Sequence, residues 1–455
     1  MKRNLFFPFQ LILIVFSILF TKESLSQNTV NTPYSSHGIG TTNDVDNAIF
    51  SGMGNSNISY FDSTVLNYFN PASYSSLSKG QPLLSTGVSS RISTFSENGV
   101  NYTSSNAVLS HFALGFSVAE RFGIAFGFRP YSRRGYEFSS NQTISADTIK
   151  NTYTGSGSTN EAFLGLSSRI FTFNNTNVSL GVNLGYVFGS LRNTRTSQLN
   201  DLVSGGVDHK NIDLKGFNYE LGLSVNHKFN ERNSLTFSGA WTPSHKFSAE
   251  RSTNLFFAAD VLDESTYFRL DSTGNIEGTI NSQSKITGGL NYRFSFKDVG
   301  KKSKVRNSEI SIHLNYKYTT WDDYKETFGG IESETNLFNT YKIAFGIQYT
   351  PETAFLSSAT NGTILEKIRY RAGFYNYTLP VQQSLNTIND YGVNIGFGIP
   401  IQVQKSMSSI NISLGYGQRN NGVSTDFKES YTSINFSLIM APGNFEKWFV
   451  KRKYN

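Results

Sequence analysis

Side chains that could make or break covalent bonds are few in this chain and poorly spaced for it. There is no Cys, so thiol nucleophiles, disulfides and a lipid-anchoring thiol are all excluded. The six His (His37, His111, His209, His227, His245, His313) show none of the short spacings that bring two ligands to one metal ion. A hydrolytic His on a β framework needs a Ser or Asp beside it at an accessible rim, and no such grouping stands out. Asp322-Asp323 beside Trp321 is the paired carboxylate most clearly placed at a strand end, where a solvated rim is the plain reading. No Gly-rich phosphate loop is present. The expectation is a non-enzyme without metal or cofactor.

Two short groupings carry binding chemistry instead. In Asn70-Pro71-Ala72 the proline fixes φ and removes a donor, and it biases Asn70 towards an extended or turn state from which its amide can bond nearby backbone. Such a unit makes a rigid corner, and both a plain turn into the first strand and a direct role in ligand passage are open. In Phe128-Arg129-Pro130-Tyr131 the proline cannot donate to a ladder, so inside a sheet it marks a bulge or break, or sits at a strand rim. Arg129, Arg133 and Arg134 suit solvated rim positions, lipopolysaccharide phosphates or an anionic ligand head.

Composition points to the elements that must carry these residues. Hydrophobic residues make up 38% and charged ones 16%, while Phe (38), Tyr (24) and Gly (39) are abundant and Met (4) and Pro (10) scarce. That balance suits strands and tight turns. The net charge is +7, but Lys and Arg are scattered apart from Lys301-Lys302-Ser303-Lys304-Val305-Arg306, which falls between two expected strands and reads as a solvated loop. No nucleic-acid partner is expected. At the N-terminus Lys2 and Arg3, the apolar Leu11–Phe20 core and Ser24-Leu25-Ser26 form a signal-peptide pattern over residues 1–26. Even counted from Leu5 to Phe20, and interrupted by Pro8 and Gln10, that apolar stretch is short of the ~20 residues of a spanning helix.

From about residue 82 the chain alternates apolar and polar residues. Val178, Leu180, Val182, Leu184 and Tyr186 share a face opposite Ser179, Gly181, Asn183 and Gly185; Ile310, Ile312, Leu314 and Tyr316 repeat the pattern, as do Ile343, Phe345 and Ile347, and Ile410, Ile412 and Leu414. Such runs predict strands near 82–96, 107–120, 122–139, 153–170, 176–194, 214–229, 233–250, 280–296, 307–323, 340–350, 367–379, 388–401, 406–418 and 428–440. Most are about twice the ~5–6 residues usual in soluble sandwiches. Many end in aromatics such as Tyr186, Phe188, Tyr292, Phe294, Phe296, Tyr318 and Tyr349, as interfacial girdles would. Inside hydrocarbon every backbone amide must find an internal partner, and a closed barrel provides this. The predicted fold is therefore all-β: a transmembrane antiparallel β-barrel of about 14 strands over 81–440, in the cell outer membrane of a Gram-negative bacterium, with outer-membrane lipid around it. Residues 27–80 are predicted to form an N-terminal plug or hatch, and 441–455 a basic-aromatic tail. Short connections at Glu120-Arg121, Asn230 to Asn233 and Gln402 to Lys405 are expected as periplasmic hairpins; 140–152, 195–213, 251–279, 324–339 and 419–427 are expected as extracellular loops.

Asn70-Pro71-Ala72 just ahead of fourteen predicted strands resembles the FadL/TodX family of outer-membrane transporters, as does the proline of Gly127-Phe128-Arg129-Pro130-Tyr131 in the third strand. The resemblance implies a hatch closed by Asn70, Pro71 and Ala72, a lateral opening at Phe128, Arg129, Pro130 and Tyr131, and passive uptake of hydrophobic small molecules such as long-chain fatty acids or aromatic hydrocarbons. The tail Ala441–Asn455 departs from the family pattern. It leaves open an alternative shared with PorV-like relatives: a structural or secretion-associated barrel that binds a periplasmic or secretion-system protein. An apolar cavity touching Asn70 to Ala72 would mark the first function, and a lumen filled with paired polar side chains the second.

Overall fold

The computed structural model describes residues 32–42, 47–97, 99–200, 202–299, 305–333, 335–351, 365, 367–383, 385–403, 406–423 and 427–441. The expected signal peptide, nearly all of the C-terminal tail and Lys301 to Lys304 lie outside these residues. A two-residue strand, β1 (Thr41–Thr42), comes first. Then follow β2 (Leu83–Glu97), β3 (Val100–Ala119), β4 (Phe122–Arg133), β5 (Tyr136–Ile144), β6 (Asp147–Phe173), β7 (Thr176–Leu199) and β8 (Gly205–Lys228). The middle of the chain forms β9 (Asn233–Thr242), β10 (Lys246–Ala258), β11 (Tyr267–Asn281), β12 (Ser284–Val299), β13 (Val305–Thr320), β14 (Lys325–Phe328) and β15 (Ile331–Ser333). The last are β16 (Thr340–Thr350), β17 (Arg369–Gln383), β18 (Asn386–Val403), β19 (Ser406–Asn420) and β20 (Lys428–Met440).

At its waist the molecule is a closed antiparallel ring of fourteen strands, β2, β3, β4, β6, β7, β8, β9, β12, β13, β16, β17, β18, β19 and β20. The seam between β20 and β2 runs from Leu84↔Met440 to Ser96↔Lys428. Register aligns the greasy positions: Leu290, Leu314, Phe345, Phe374, Val393 and Tyr416 are successive partners around the wall, and each is more than 40% exposed. One residue along, Asn291, His313, Gly346, Gly373 and Asn394 face inward, and the Asn and His are buried. Period-two alternation thus becomes an apolar outer belt for lipid and a polar inner face.

Several expected loops prove to be strand. β6 has 27 residues, and β7 and β8 have 24 each, so 140–152 and 195–213 are mostly ladder rather than loop. Residues 251–279 form the β10–β11 hairpin and are open only around the short helical turn Glu264–Thr266. The reason is that these stretches stand clear of the bilayer with water on both faces, so the apolar/polar contrast fades while the β-forming Thr, Tyr and Val persist. The expected strand 233–250 is likewise broken at Pro243 to His245, where β9 gives way to β10. We call the end with the hairpins at Glu120-Arg121, Asn174-Asn175 and Phe229 to Arg232 the turn end, and the other the loop end.

Residues 47–80 lie inside the ring. A single helical turn, α1 (Ala48–Ser51), is capped by the Asn47 side chain bonding the Ile49 amide at 3.0 Å. Ile49, Phe50, Met53, Tyr60, Val65, Leu66, Tyr68 and Tyr74 form an apolar core with wall residues Ala113, Ala125 and Phe163. Wall glycines mark where this segment presses closest. A methyl group added at Gly181 would run into the Pro71 backbone, at Gly222 it would sit 2.6 Å from Asn70 Oδ1, and at Gly346 2.6 Å from the Met53 carbonyl oxygen. Towards the loop end the lumen holds a second apolar core, in which Ile39 meets Tyr131, Leu191, Leu214, Phe247, Trp321, Tyr324 and Leu337.

Candidate functional site

Asn70 is fully buried and every polar atom of its side chain is bonded. Oδ1 accepts from the Ala72 amide at 3.0 Å, capping the 3-10 helix Pro71–Ser76, in which Pro71 takes the first position where no donor is needed. Nδ2 donates to the Ile58 carbonyl at 2.8 Å and to Ser224 Oγ of β8 at 2.9 Å. The Ala72 carbonyl accepts from Ser75 Oγ at 3.0 Å and Ser167 Oγ at 2.9 Å. Tyr74 lies over Gly123 and Gly165 and donates to Asn183 at 2.9 Å, and burial pushes its phenol above the usual range. Asn70-Pro71-Ala72 is a corner docked on the wall.

Charged groups grip the inner segment at three heights. Mid-barrel, Arg129 bonds Glu161 at 2.6 Å, Glu220 at 3.4 Å and the Tyr68 carbonyl at 3.1 Å. At the turn end Arg293 bonds the Phe61 carbonyl at 3.1 Å and pairs with Glu309 at 3.3 Å, while Arg369 lies 4.0 Å from Asp62. Burial pushes the Asp62 carboxyl up, but Arg369, Arg293 and the two bonds from Thr64 outweigh it and hold it below the usual carboxylate range. At the loop end Arg419 joins Asp390 (2.8 Å) and Glu429 (3.2 Å), and Glu429 accepts from Thr32 Oγ1 at 2.7 Å and Ser93 Oγ at 2.9 Å.

Arg129 is therefore not a rim residue, and neither is Arg134, which is 3% exposed and bonds the Gly38 carbonyl and, at 3.0 Å, Asn193. Both were expected in solvent, on lipid phosphate or on a ligand head. Tertiary contacts turn them inward to satisfy buried carboxylates and carbonyls. Asp322 and Asp323 do lie at a strand end, bonded to Asn339 (2.6 Å) and Thr320 (2.7 Å).

Pro130 sits where the wall changes. The β3–β4 ladder stops at Phe112↔Phe128; beyond it β4 keeps β6 on one side, with a register shift between Pro130 and Ser132, and gains β1 on the other through Thr41↔Arg133 and Thr42↔Ser132. β5 pairs with β6 alone among the described residues. Behind this break lies a cavity of about 120 Å³, lined by Ser110, Arg129, Pro130 and Tyr131 together with Tyr68, Glu161, Glu220, Lys285, Lys317 and Lys342. Asn70, Pro71 and Ala72 do not line it. It is smaller than the roughly 300–1,000 Å³ of small-molecule pockets, and its walls are polar and apolar in nearly equal share. Within it, Glu161 Oε1, Asn218 Oδ1 and Asn55 Oδ1 have no bonded partner among the described residues, as in a hydrated hollow.

His placement gives no catalytic grouping. His111 bonds Ser85 and Ser110, both at 2.8 Å, but all three are buried; His227 bonds Thr176 at 2.8 Å, and His313 stacks on Tyr60. Among the described residues no cluster of His, Asp and Glu is placed to hold a metal. The signal that sequence reading missed is glycine on the inward face: Gly123, Gly165, Gly181, Gly222, Gly346 and Gly373 trace the path of the inner segment.

Comparison with known structures gives the same architecture at low identity. A FadL homologue of Pseudomonas aeruginosa matches with a TM-score of 0.54 at 13% identity, over 88% of this chain and 98% of its own. The toluene transporter TodX of P. putida matches with a TM-score of 0.55 at 14% identity, over 87% and 98%. The toluene transporter TbuX of Ralstonia pickettii matches at 0.50 and 11% identity, over 86% and 97%. At these identities the likeness is one of fold. None of the curated proteins compared with the sequence matches it. A family model described as BamG matches residues 9–455.

Proposed function

The chain belongs to the BamG family, and from that premise we propose that it is a permanently plugged outer-membrane barrel that serves as a structural component holding another protein. The turn end faces the periplasm and the loop end the outside, as short turns and long hairpins do in bacterial barrels. Residues 32–42 and 47–80 act as the plug. One observation carries this reading: the inner segment is tied to the wall at three heights, through the apolar core around Ile39, through the bond from Arg129 to the Tyr68 carbonyl, and through the fully bonded Asn70 corner. An opening plug would have to break these contacts together, strip the Tyr68 carbonyl of its donor and part Asp62 from Arg369.

Because the chain has no Cys, the plug can be locked cleanly. Ser75 Oγ and Ser179 Oγ are 2.9 Å apart, so Ser75→Cys with Ser179→Cys ties plug to wall. In proteoliposomes carrying the full chain, uptake of labelled oleate or toluene is expected to equal that of empty vesicles whether the lock is oxidised or reduced. Uptake that appears on reduction and vanishes on oxidation would overturn the proposal.

That result would support a second reading, passive uptake of a hydrophobic small molecule such as a long-chain fatty acid or an aromatic hydrocarbon. It is favoured by the wall break beside Phe128 to Tyr131, which adjoins the cavity at Ser110 and Pro130. In that reading the ligand leaves sideways through the break, and the naming of two solved proteins of this fold as toluene transporters supports uptake by analogy only.

A further inference from the structure

The ring shuts where its first and last wall strands meet, and that joint differs from the others. Elsewhere each wall strand pairs with the wall strand next to it in the chain, whereas β20 must find β2: Ser93 and Glu429, in contact across the seam, are 336 residues apart. The loop-closure cost is therefore greatest at this joint, and side-chain contacts on its inner face carry weight that chain connection carries elsewhere.

Two residues of β20 each bind three elements at once. Asn435 accepts from Ser89 of β2 at 2.6 Å and donates to Ser413 of β19 at 3.1 Å and to Ser51 of α1 at 2.8 Å. Nearer the loop end, Glu429 accepts from Ser93 of β2 at 2.9 Å, from Arg419 of β19 at 3.2 Å and from Thr32 of the inner segment at 2.7 Å. Between them Arg91 of β2 lies 4.1 Å over the Tyr431 ring, and towards the turn end Ser437 donates to Asn47 Oδ1 at 3.3 Å. Asn435, Glu429, Ser51, Thr32, Ser89 and Ser93 are all buried, so a partner lost here is lost in the protein interior. At both points one of the three partners belongs to the inner segment.

We propose that the inner segment is the clasp of the barrel: β20, last in the chain, closes on a surface made jointly by β2 and by Thr32, Asn47 and Ser51 of the docked segment. That segment leads into β2, so the chain carries part of its closing surface ahead of its first wall strand. Seam and plug then stabilise one another by the same amount, as coupled equilibria must. This goes beyond the scaffold reading, because it gives the plug a part in holding the ring shut whether or not another protein is bound.

The test is amide exchange, read by mass spectrometry on the full chain in nanodiscs after the heat-induced band shift has confirmed a folded barrel. Thr32→Val and Ser51→Ala each remove one tie from the inner segment and leave the bonds from β2 and β19 to Glu429 and Asn435 in place. Thr32→Val should speed exchange about three- to tenfold in 91–96 and 428–433, and Ser51→Ala by a similar factor in 84–90 and 434–440, with the β7–β8 joint unchanged in both. Ser75→Ala, which cuts the tie between the inner segment and Ser179 of β7, should leave the seam as it was. Seam exchange that stays unchanged in Thr32→Val and Ser51→Ala, or rises equally in every wall strand, overturns the proposal, and so does faster seam exchange in Ser75→Ala. Lock-dependent uptake in vesicles would sink the plugged-barrel reading without altering seam exchange in these variants, so the two failures are told apart.

Discussion

Replacing Asn70 by Ala tests whether the corner is what holds the plug. The substitution removes the cap on the Ala72 amide, worth about 1 kcal/mol at a helix start. It also strips the buried Ile58 carbonyl of its 2.8 Å donor, an unmet acceptor costing about 1–3 kcal/mol. Ser224 keeps its bond to Ser238 at 2.8 Å, so its loss adds little. Together the plug's local opening should become about 2–4 kcal/mol easier, which is roughly 30- to 700-fold in the opening equilibrium. Val65→Cys, in the buried core of the same segment, serves as reporter: its maleimide labelling in the folded barrel follows that equilibrium when reclosing is fast. Asn70→Asp keeps the cap but loses both donated bonds and buries a carboxylate, so it should label at least as fast. Labelling of Asn70→Ala indistinguishable from the parent would refute the idea that this corner carries the plug.

The remaining predictions concern neighbouring contacts. Gly373→Ala drives a methyl into the Met53 backbone and should cost about 1–3 kcal/mol by overpacking, whereas Gly288→Ala has open space and should be silent, as read by the same labelling and by heat-induced band shift. Arg129→Met leaves Glu161 and Glu220 facing each other and should destabilise the folded barrel by about 3–5 kcal/mol, read by the heat-induced band shift, with Glu161→Gln in the same chain restoring much of the loss. Asp62 is held below the usual carboxylate range, so its contribution is complete above the unfolded value near 4 and fades as pH falls through its lower folded value. Labelling of Val65→Cys should therefore rise on acidification below that point, and Asp62→Asn should remove that component of the pH dependence. Mass spectrometry of purified wild type and Pro130→Ala should find no hydrophobic ligand beyond bulk membrane lipid, and a specific ligand lost in the variant would favour uptake.

The chain's own pattern determined the barrel. A strand with lipid on one side must be apolar at every second residue, and this local rule leaves a mark at Leu180 to Leu184, at Ile310 to Leu314 and at Ile410 to Leu414 that needs no knowledge of partners. Fourteen such marks, and a corner at Asn70-Pro71, could be read directly. What lay above the bilayer could not, because water on both faces removes the contrast, and so the long β5–β6 and β7–β8 ladders passed for loops. The lumen was equally hidden. Which carboxylates Arg129 would meet depends on β6 and β8 curving round to bring Glu161 and Glu220 beside it, and whether Gly373 is spare room or a seat for Met53 depends on a segment three hundred residues earlier in the chain. Side-chain type along one strand records the solvent it faces; it does not record which distant strand closes the ring or what lies inside it.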